Sequence, residues 1–390
     1  MIERRAVVGL QGRLPSAALI EVGARLREPR GLSVLGAIGG EIAAARSVRS
    51  SRARLPRARQ WHADTFEGAD VVRRITQEGT RLVFFGGKGG VGKTTCAAAC
   101  ALVLAAESPA RPVLLLSTDP AHSLGDVLGQ AIDDDPVRVR GGPVNLRVRA
   151  IDASRQFDAI RARYAGTVDS LFARLSPGGH SGVHVDAGHD RAVLHGLIDL
   201  APPGIDELAA VIDVVDTIDA DADELVIVDT APTGHAVRLL EMPGAVHEWI
   251  KALMSILLKY RAVATLEEFG SVLLRLSQGL GRLRQLLADP NRTSFVAVTR
   301  AAALPRLETI DLLRRLDQIG IHLSATIVNV VGRGECGRCR VEAASEKRHL
   351  AGLKKEIPRT AAMVIAPAEM PPPLGHAALN RWQRRWYLSR

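Results

Sequence analysis

The chain has 390 residues, 47% of them hydrophobic and only 4% aromatic, which is enough for a large aliphatic core. No run of 18 uninterrupted apolar residues occurs, so a transmembrane helix is not expected. Most of the net charge of +9 lies in residues 1–60, where twelve arginines and four glutamates give +8; the rest of the chain carries about +1. A near-neutral body of this kind does not suggest a nucleic-acid partner.

Residues 1–78 are expected to form an Arg-rich, poorly ordered extension with one short helix near residues 16–27. An Arg-rich, acid-poor segment can be a targeting peptide, but a solvated tail is the preferred interpretation, and the apolar run at 31–45 is too interrupted for a signal peptide. The four cysteines are too few for a disulfide scaffold in a chain of this size. They indicate a reducing compartment, and the expected location is cytoplasmic.

From Thr80 onward, short apolar runs alternate with stretches of helical periodicity. Strands are predicted near residues 82–85, 113–116, 144–150, 225–228, 294–298 and 325–330. Helices are predicted at about 92–107 and 304–319. This alternation indicates an α/β fold, a mainly parallel, doubly wound sheet covered by helices on both faces. Residues 79–390 are interpreted as one domain in which two inserts, at about 153–218 and 238–288, form a helical subdomain.

A phosphate-binding loop at residues 87–94 satisfies the pattern G-x-x-x-x-G-K-[ST] between a predicted strand and a predicted helix. Its backbone N–H groups and the helix dipole can surround phosphate oxygens, Lys93 can neutralise their charge, and the Thr94 hydroxyl can bind Mg²⁺. Cys96 and Cys100, one turn apart on the following helix, are interpreted as small core residues. The predicted ATP-contacting residues of the loop are Gly87, Lys88, Gly89, Gly90, Val91, Gly92, Lys93, Thr94 and Thr95.

Lys88 is a second lysine inside the loop, which the general pattern does not require. One interpretation is a surface lysine that touches the rim of the site. The other is a catalytic charge that crosses a dimer interface to reach the nucleotide of the partner subunit. A buried lysine without a partner would be costly, so a buried position for Lys88 would require an anion nearby.

Three more motifs follow in order along the chain: S-T-D-P-A-H-S at 117–123, D-T-A-P-T-G-H at 229–235 and C-G-R-C at 336–339. With the two-lysine loop, they resemble the ArsA-type ATPase family, which includes arsenical-pump ATPases and ATPases that target tail-anchored membrane proteins. The similarity runs from about residue 82 to about residue 386. The two-lysine loop alone would indicate only a wider class that includes partition ATPases and nitrogenase iron proteins.

The resemblance implies ATP hydrolysis that opens and closes a homodimer, with Asp119 orienting the attacking water. It also implies that Asp229 acts on Mg²⁺ through a bound water, that Asn329 reads the adenine edge, and that the loop at 366–373 covers the base. Each aspartate follows a predicted strand, where sheets of this kind bind ligands. A helix-capping role remains the alternative for both.

Cys336 and Cys339 supply half of the four ligands that structural Zn²⁺ usually takes. The resemblance implies that two subunits complete one shared Cys₄ site. A redox pair or two unmetallated thiols remain alternatives. In the second insert, five apolar residues at helical spacing form either a groove for a client helix or ordinary core. These are Ile250, Leu253, Met254, Leu257 and Leu258.

The favoured function is an ATPase of this family that acts on a hydrophobic client or a membrane partner. An arsenite-pump energising ATPase is the alternative. It is disfavoured because the chain has a single ATPase domain and no cysteine between Cys100 and Cys336. A partition-type ATPase is the second alternative, and the near-neutral body argues against it.

Overall fold

The computed structural model describes residues 32–43, 68–77, 79–118, 123–151, 196, 224–230, 243–257, 267–332 and 337–389. The strands in these ranges are β1 (Leu82–Gly86), β2 (Val113–Ser117), β3 (Val137–Arg138), β4 (Leu146–Ala150), β5 (Leu225–Asp229), β6 (Thr293–Arg300), β7 (Leu323–Val331), β8 (Ala362–Pro367) and β9 (Tyr387–Leu388). They form one sheet in the order β3-β4-β2-β5-β1-β6-β7-β8-β9. Neighbours pair in parallel except at the two edges, where β3–β4 and β8–β9 are antiparallel.

The helices of the described ranges are α1 (Leu32–Ala43), α2 (Gly68–Arg73), α3 (Lys93–Glu107), α4 (Ser123–Leu128), α5 (Pro243–Leu257), α6 (Glu267–Ala288), α7 (Ala303–Gln318), α8 (Gly337–Lys354) and α9 (His376–Gln383). The predicted fold class, a mostly parallel sheet flanked by helices, is confirmed. Among these helices none has the length and apolarity needed to cross a bilayer.

The central strands are buried along their whole length, since all five residues of each of β1, β2 and β5 are buried. Strands covered on both faces need continuous apolar runs, and these were the runs visible in the sequence. Helix α3 packs against this part of the sheet, and its Ala-rich surface allows close approach. Cys96 and Cys100 are buried within that packing.

Helix α2 extends the core into the segment that the sequence analysis assigned to the N-terminal extension. Val71, Val72 and Ile75 are fully buried, and Arg73 pairs with Glu107 at the end of α3 at 3.1 Å. Three apolar residues cover the end of the phosphate-loop helix, although the surrounding composition is Arg-rich. Helix α1 leaves Leu32 90% exposed. The expected helix near 16–27 and most of the insert at 153–218 lie outside the described residues.

The described part of the second insert consists of α5 and α6, which pack against each other. Val246 and Ile250 of α5 are buried, and Met254 is half-buried. The side chains of Leu253 and Leu257, and all of Leu258, lie outside the described part. Ile250 is therefore part of the core, and a groove for a client helix stays a prediction.

Candidate nucleotide site

The phosphate loop connects the end of β1 to the start of α3, at the C-terminal edge of the sheet. Gly87 and Gly92 adopt positive φ angles of 153° and 92°. A Cβ at Gly87 would overlap the carbonyl of Val298, and one at Gly92 would overlap the amide of Asn329. The loop is thus wedged between β6 and β7 so tightly that only glycine fits at these two positions.

Helix α3 begins with Gly92 as its N-cap, which has no side chain that could satisfy the first-turn N–H groups. Such a helix end is suited to bind an anion. Lys93 is 6% exposed, and its Nζ lies 3.5 Å from the carbonyl of Lys88. Thr95 lies in the same turn and is half-buried. The loop therefore combines unsatisfied donors with a buried ammonium group, which is the chemistry a polyphosphate requires.

Thr94 contacts the segment that follows β2. Its hydroxyl lies 3.0 Å from the hydroxyl of Ser123, the first residue of α4. Ser123 belongs to the S-T-D-P-A-H-S motif, and the sequence alone predicted no role for it. Asp119 and His122 belong to the same motif and lie outside the described residues. Because Ser123 contacts the Mg²⁺ ligand predicted for the loop, this contact links the motif to the phosphate site.

Asp229 is the last residue of β5 and is fully buried. It lies directly beside Phe85 in the parallel register of β1 and β5, so it adjoins the start of the loop. Ser117 donates a hydrogen bond of 3.4 Å to Asp229 Oδ2, and the Thr118 N–H donates to the Asp229 carbonyl. The oxygen atoms of Asp229 and Thr94 are ligands that Mg²⁺ accepts, directly or through water.

Asn329 is 5% exposed and connects β7 to the phosphate loop. Its Nδ2 donates to the Val91 carbonyl at 2.9 Å, and its Oδ1 accepts from the Val330 N–H at 2.7 Å. An asparagine amide has two donors and two lone pairs, so one N–H and one lone pair remain for an adenine edge. The geometry shows support of the loop, and adenine reading stays a prediction.

Lys88 forms an ion pair that the sequence did not suggest. Its Nζ lies 2.7 Å from Glu308 Oε1 on α7, and the two side chains are 28% and 35% exposed. Glu308 is 220 positions away along the chain and belongs to no recognisable motif. The pairing of Glu308 with Lys88 is therefore visible only in the folded structure.

The cysteines of the described ranges differ in environment. Burial raises the pKa of the Cys100 thiol, and burial, followed by the nearby Cys100 and Asp229, raises the pKa of Cys96. Cys339 is half-buried in the first turn of α8, and Cys336 lies outside the described part. No group of three or more metal-ligating side chains occurs among the residues that the structure describes. Cys339 is thus the described member of the predicted zinc pair, and the zinc site stays a prediction.

A glycine loop between a buried strand and a helix, a buried lysine, and an aspartate at the neighbouring strand end define a P-loop nucleoside triphosphatase. Comparisons with known proteins agree. The sequence profile of the anion-transporting ATPases matches residues 80–361. The chain is 33% identical to "ATPase GET3A" of Arabidopsis thaliana over 281 residues, covering 67% of this chain and 70% of that protein.

Two other relatives broaden the comparison. "ATPase asna-1" of Caenorhabditis elegans is 28% identical over 312 residues, covering 73% of this chain and 86% of the relative. A "Putative arsenical pump-driving ATPase" of Halobacterium salinarum is 32% identical over 271 residues, covering 68% of this chain but only 38% of the relative. The chain belongs to the anion-transporting ATPase family, and it is an ATP-hydrolysing enzyme.

Proposed function

We propose that this ATPase uses the hydrolysis cycle to open and close a homodimer, and that the movement serves a hydrophobic client or a membrane-protein partner in the cytoplasm. The observation that carries the proposal is the contrast between the two lysines of the loop. Lys93 is buried within its own phosphate site, whereas the Lys88 side chain is 28% exposed at the rim. A cation at the rim can reach a nucleotide held by a second subunit.

The reaction itself needs positioned charge more than covalent chemistry. Lys93 and the first turn of α3 would hold the β- and γ-phosphates, and Mg²⁺ bound near Thr94 and Asp229 would neutralise the charge that develops. Asp119 would orient the attacking water, as the resemblance implies. Its described neighbours support this role, because Thr118 bonds to Asp229 and Ser123 contacts Thr94.

A shared zinc site would fix the pairing of the subunits. Cys339 in the first turn of α8, together with Cys336, gives two thiolates per chain, and a second copy would supply the other two. Metal analysis of the purified protein should find about half an equivalent of zinc per chain. A tightly held full equivalent per chain would contradict a shared site.

The client would be an apolar helix bound at the helical subdomain. Helices α5 and α6 form an aliphatic pair in which Leu274 is 51% exposed and Met254 is half-buried. Accessible apolar side chains on a helix pair are the elements of a helix-binding groove. Crosslinking of an Asp119→Asn variant, trapped with ATP, to a peptide carrying a single C-terminal apolar helix tests this assignment. A peptide of equal length with a polar helix is the control.

Lys88→Ala and Lys93→Ala separate the two lysine roles. Loss of Lys93 should abolish nucleotide binding. Loss of Lys88 should leave binding largely intact and reduce turnover by about 10³-fold or more, the effect of a cation supplied in trans. Equilibrium binding of a fluorescent ATP analogue and single-turnover hydrolysis measure the two steps. Full turnover in Lys88→Ala would overturn the proposed switching mechanism.

A further inference from the structure

The ion pair between Lys88 and Glu308 presents a conflict with the proposed role of Lys88. In this structure the ammonium group of Lys88 is 2.7 Å from a carboxylate of its own subunit. A lysine that delivers charge to a phosphate in another subunit cannot keep a carboxylate at this distance, because the carboxylate would cancel the charge and repel the phosphate. The pair must therefore separate before Lys88 can act.

Glu308 occupies a fixed position. Its neighbour Thr309 is 1% exposed, and the Thr309 hydroxyl lies 2.7 Å from the Pro305 carbonyl and 2.8 Å from the Thr299 hydroxyl of β6. Helix α7 is thus tied to β6 at the residue next to Glu308. The same strand approaches the start of the phosphate loop, where the Val298 carbonyl leaves no room for a side chain at position 87. Glu308 and the loop are therefore held by one common strand.

The charge environment of the pair suits a reversible contact. Both side chains are about one-third exposed, so water can replace either partner when they separate. Exposed pairs of this kind are weak, and separating one changes an equilibrium by only about 1.5- to 5-fold. Such a contact biases a switch without blocking it.

We propose that Glu308 is a positioning residue that holds Lys88 in the resting subunit, opposes closure, and releases the lysine when a nucleotide-bearing partner offers phosphate oxygens in exchange. This inference depends on the proposed trans role of Lys88. It makes closure an exchange of one anion for another at the same ammonium group. The resting state is then stabilised within each subunit, and only a phosphate of the partner site competes for the lysine.

The test uses Glu308→Gln, which keeps the shape of the side chain and removes its charge. Because the resting state is no longer stabilised, apparent ATP affinity should rise by about 1.5- to 5-fold, while kcat at saturating ATP stays unchanged. Asp311→Asn is the matched control, because it removes one negative charge from the same helix. The native Asp311 pairs with Arg314 and not with Lys88. The control variant should leave ATP affinity unchanged.

Two further measurements distinguish a lysine-holding role from a general one. In a Lys88→Ala background, Glu308→Gln should no longer change the affinity for a fluorescent ATP analogue. When Lys88 is present, Glu308→Gln and the unaltered protein should differ less in ATP affinity as the salt concentration rises from about 0.05 M to 0.5 M. Salt screens the exposed ion pair that only the unaltered protein can form. Circular dichroism and thermal melting establish that each variant is folded.

Three outcomes would overturn the inference: an ATP affinity equal to that of Asp311→Asn, a lower kcat in Glu308→Gln, or the same affinity gain in the presence and absence of Lys88. A lower kcat would place Glu308 in the closed state. Failure of the proposed function would appear in a different measurement, as full turnover of the Lys88→Ala single variant. The two failures are therefore distinguishable.

Discussion

Replacement of Asn329 by alanine tests whether this residue supports the phosphate loop. The substitution removes the bond to the Val91 carbonyl and the bond from the Val330 N–H. A buried group left without its partner costs about 1–3 kcal/mol. The bond to Val91 is buried and should cost near the middle of that range, whereas the bond from the Val330 N–H is only partly buried and should cost less. We expect a loss of about 2–3 kcal/mol in the free energy of unfolding.

The assay is equilibrium denaturation of Asn329→Ala without nucleotide, with Asn291→Ala as control. Asn291 lies in an exposed turn, and its replacement should change the unfolding free energy by less than about 0.5 kcal/mol. Unchanged stability of Asn329→Ala would refute the supporting role. The adenine prediction adds a separate expectation: ATP should lose more affinity than GTP, since the amide is predicted to contact the adenine edge.

Three further predictions concern strain, pH and thiol reactivity. Val330 has a φ of 59°, a conformation that is unfavourable for a β-branched residue. Val330→Gly should therefore raise the unfolding free energy, measured by chemical denaturation, by about 1 kcal/mol. A loss of stability would show that the backbone at Val330 is not strained. Burial raises the pKa of the Glu346 carboxyl. The contribution of Glu346 to stability is therefore largest in acid and is lost as pH rises through the folded-state pKa. Glu346→Gln should accordingly raise the unfolding free energy at neutral pH but not at pH 4. Equal effects at both pH values would contradict this. Burial also raises the pKa of Cys96 and Cys100, so neither should react with a thiol reagent at pH 8 until the protein unfolds, as mass spectrometry of labelled peptides can show.

The sheet was predictable because its strands are buried on both faces. The apolar runs at β1, β2 and β5 match the observed strands to within one residue at each end, since flanking glycine, proline and charged residues mark their limits. The phosphate loop was equally visible, because its glycines, lysine and threonine follow a fixed spacing within eight consecutive residues. Both features are therefore encoded in short, contiguous stretches of sequence.

Other features depend on contacts between distant parts of the chain. Glu308 is one of several acidic residues on an ordinary amphipathic helix, and only the packing of α7 on β6 brings it to Lys88. The short helix α2 was assigned to the extension because the buried residues in and just after it, Val71, Val72 and Ile75, are set within Arg-rich sequence. The support that Asn329 gives to the loop was hidden for the same reason, since Val91 lies 238 positions away.

The most direct measurement of the central claim is the ATPase activity of mixed dimers formed from Lys88→Ala and Asp119→Asn chains. Each parent dimer should be nearly inactive. In the mixed dimer, the site with an intact Asp119 belongs to the Lys88→Ala chain and receives its lysine from the other chain. The account predicts that mixing restores part of the activity. If heterodimers form and the mixture remains as inactive as its parents, Lys88 does not act across the dimer.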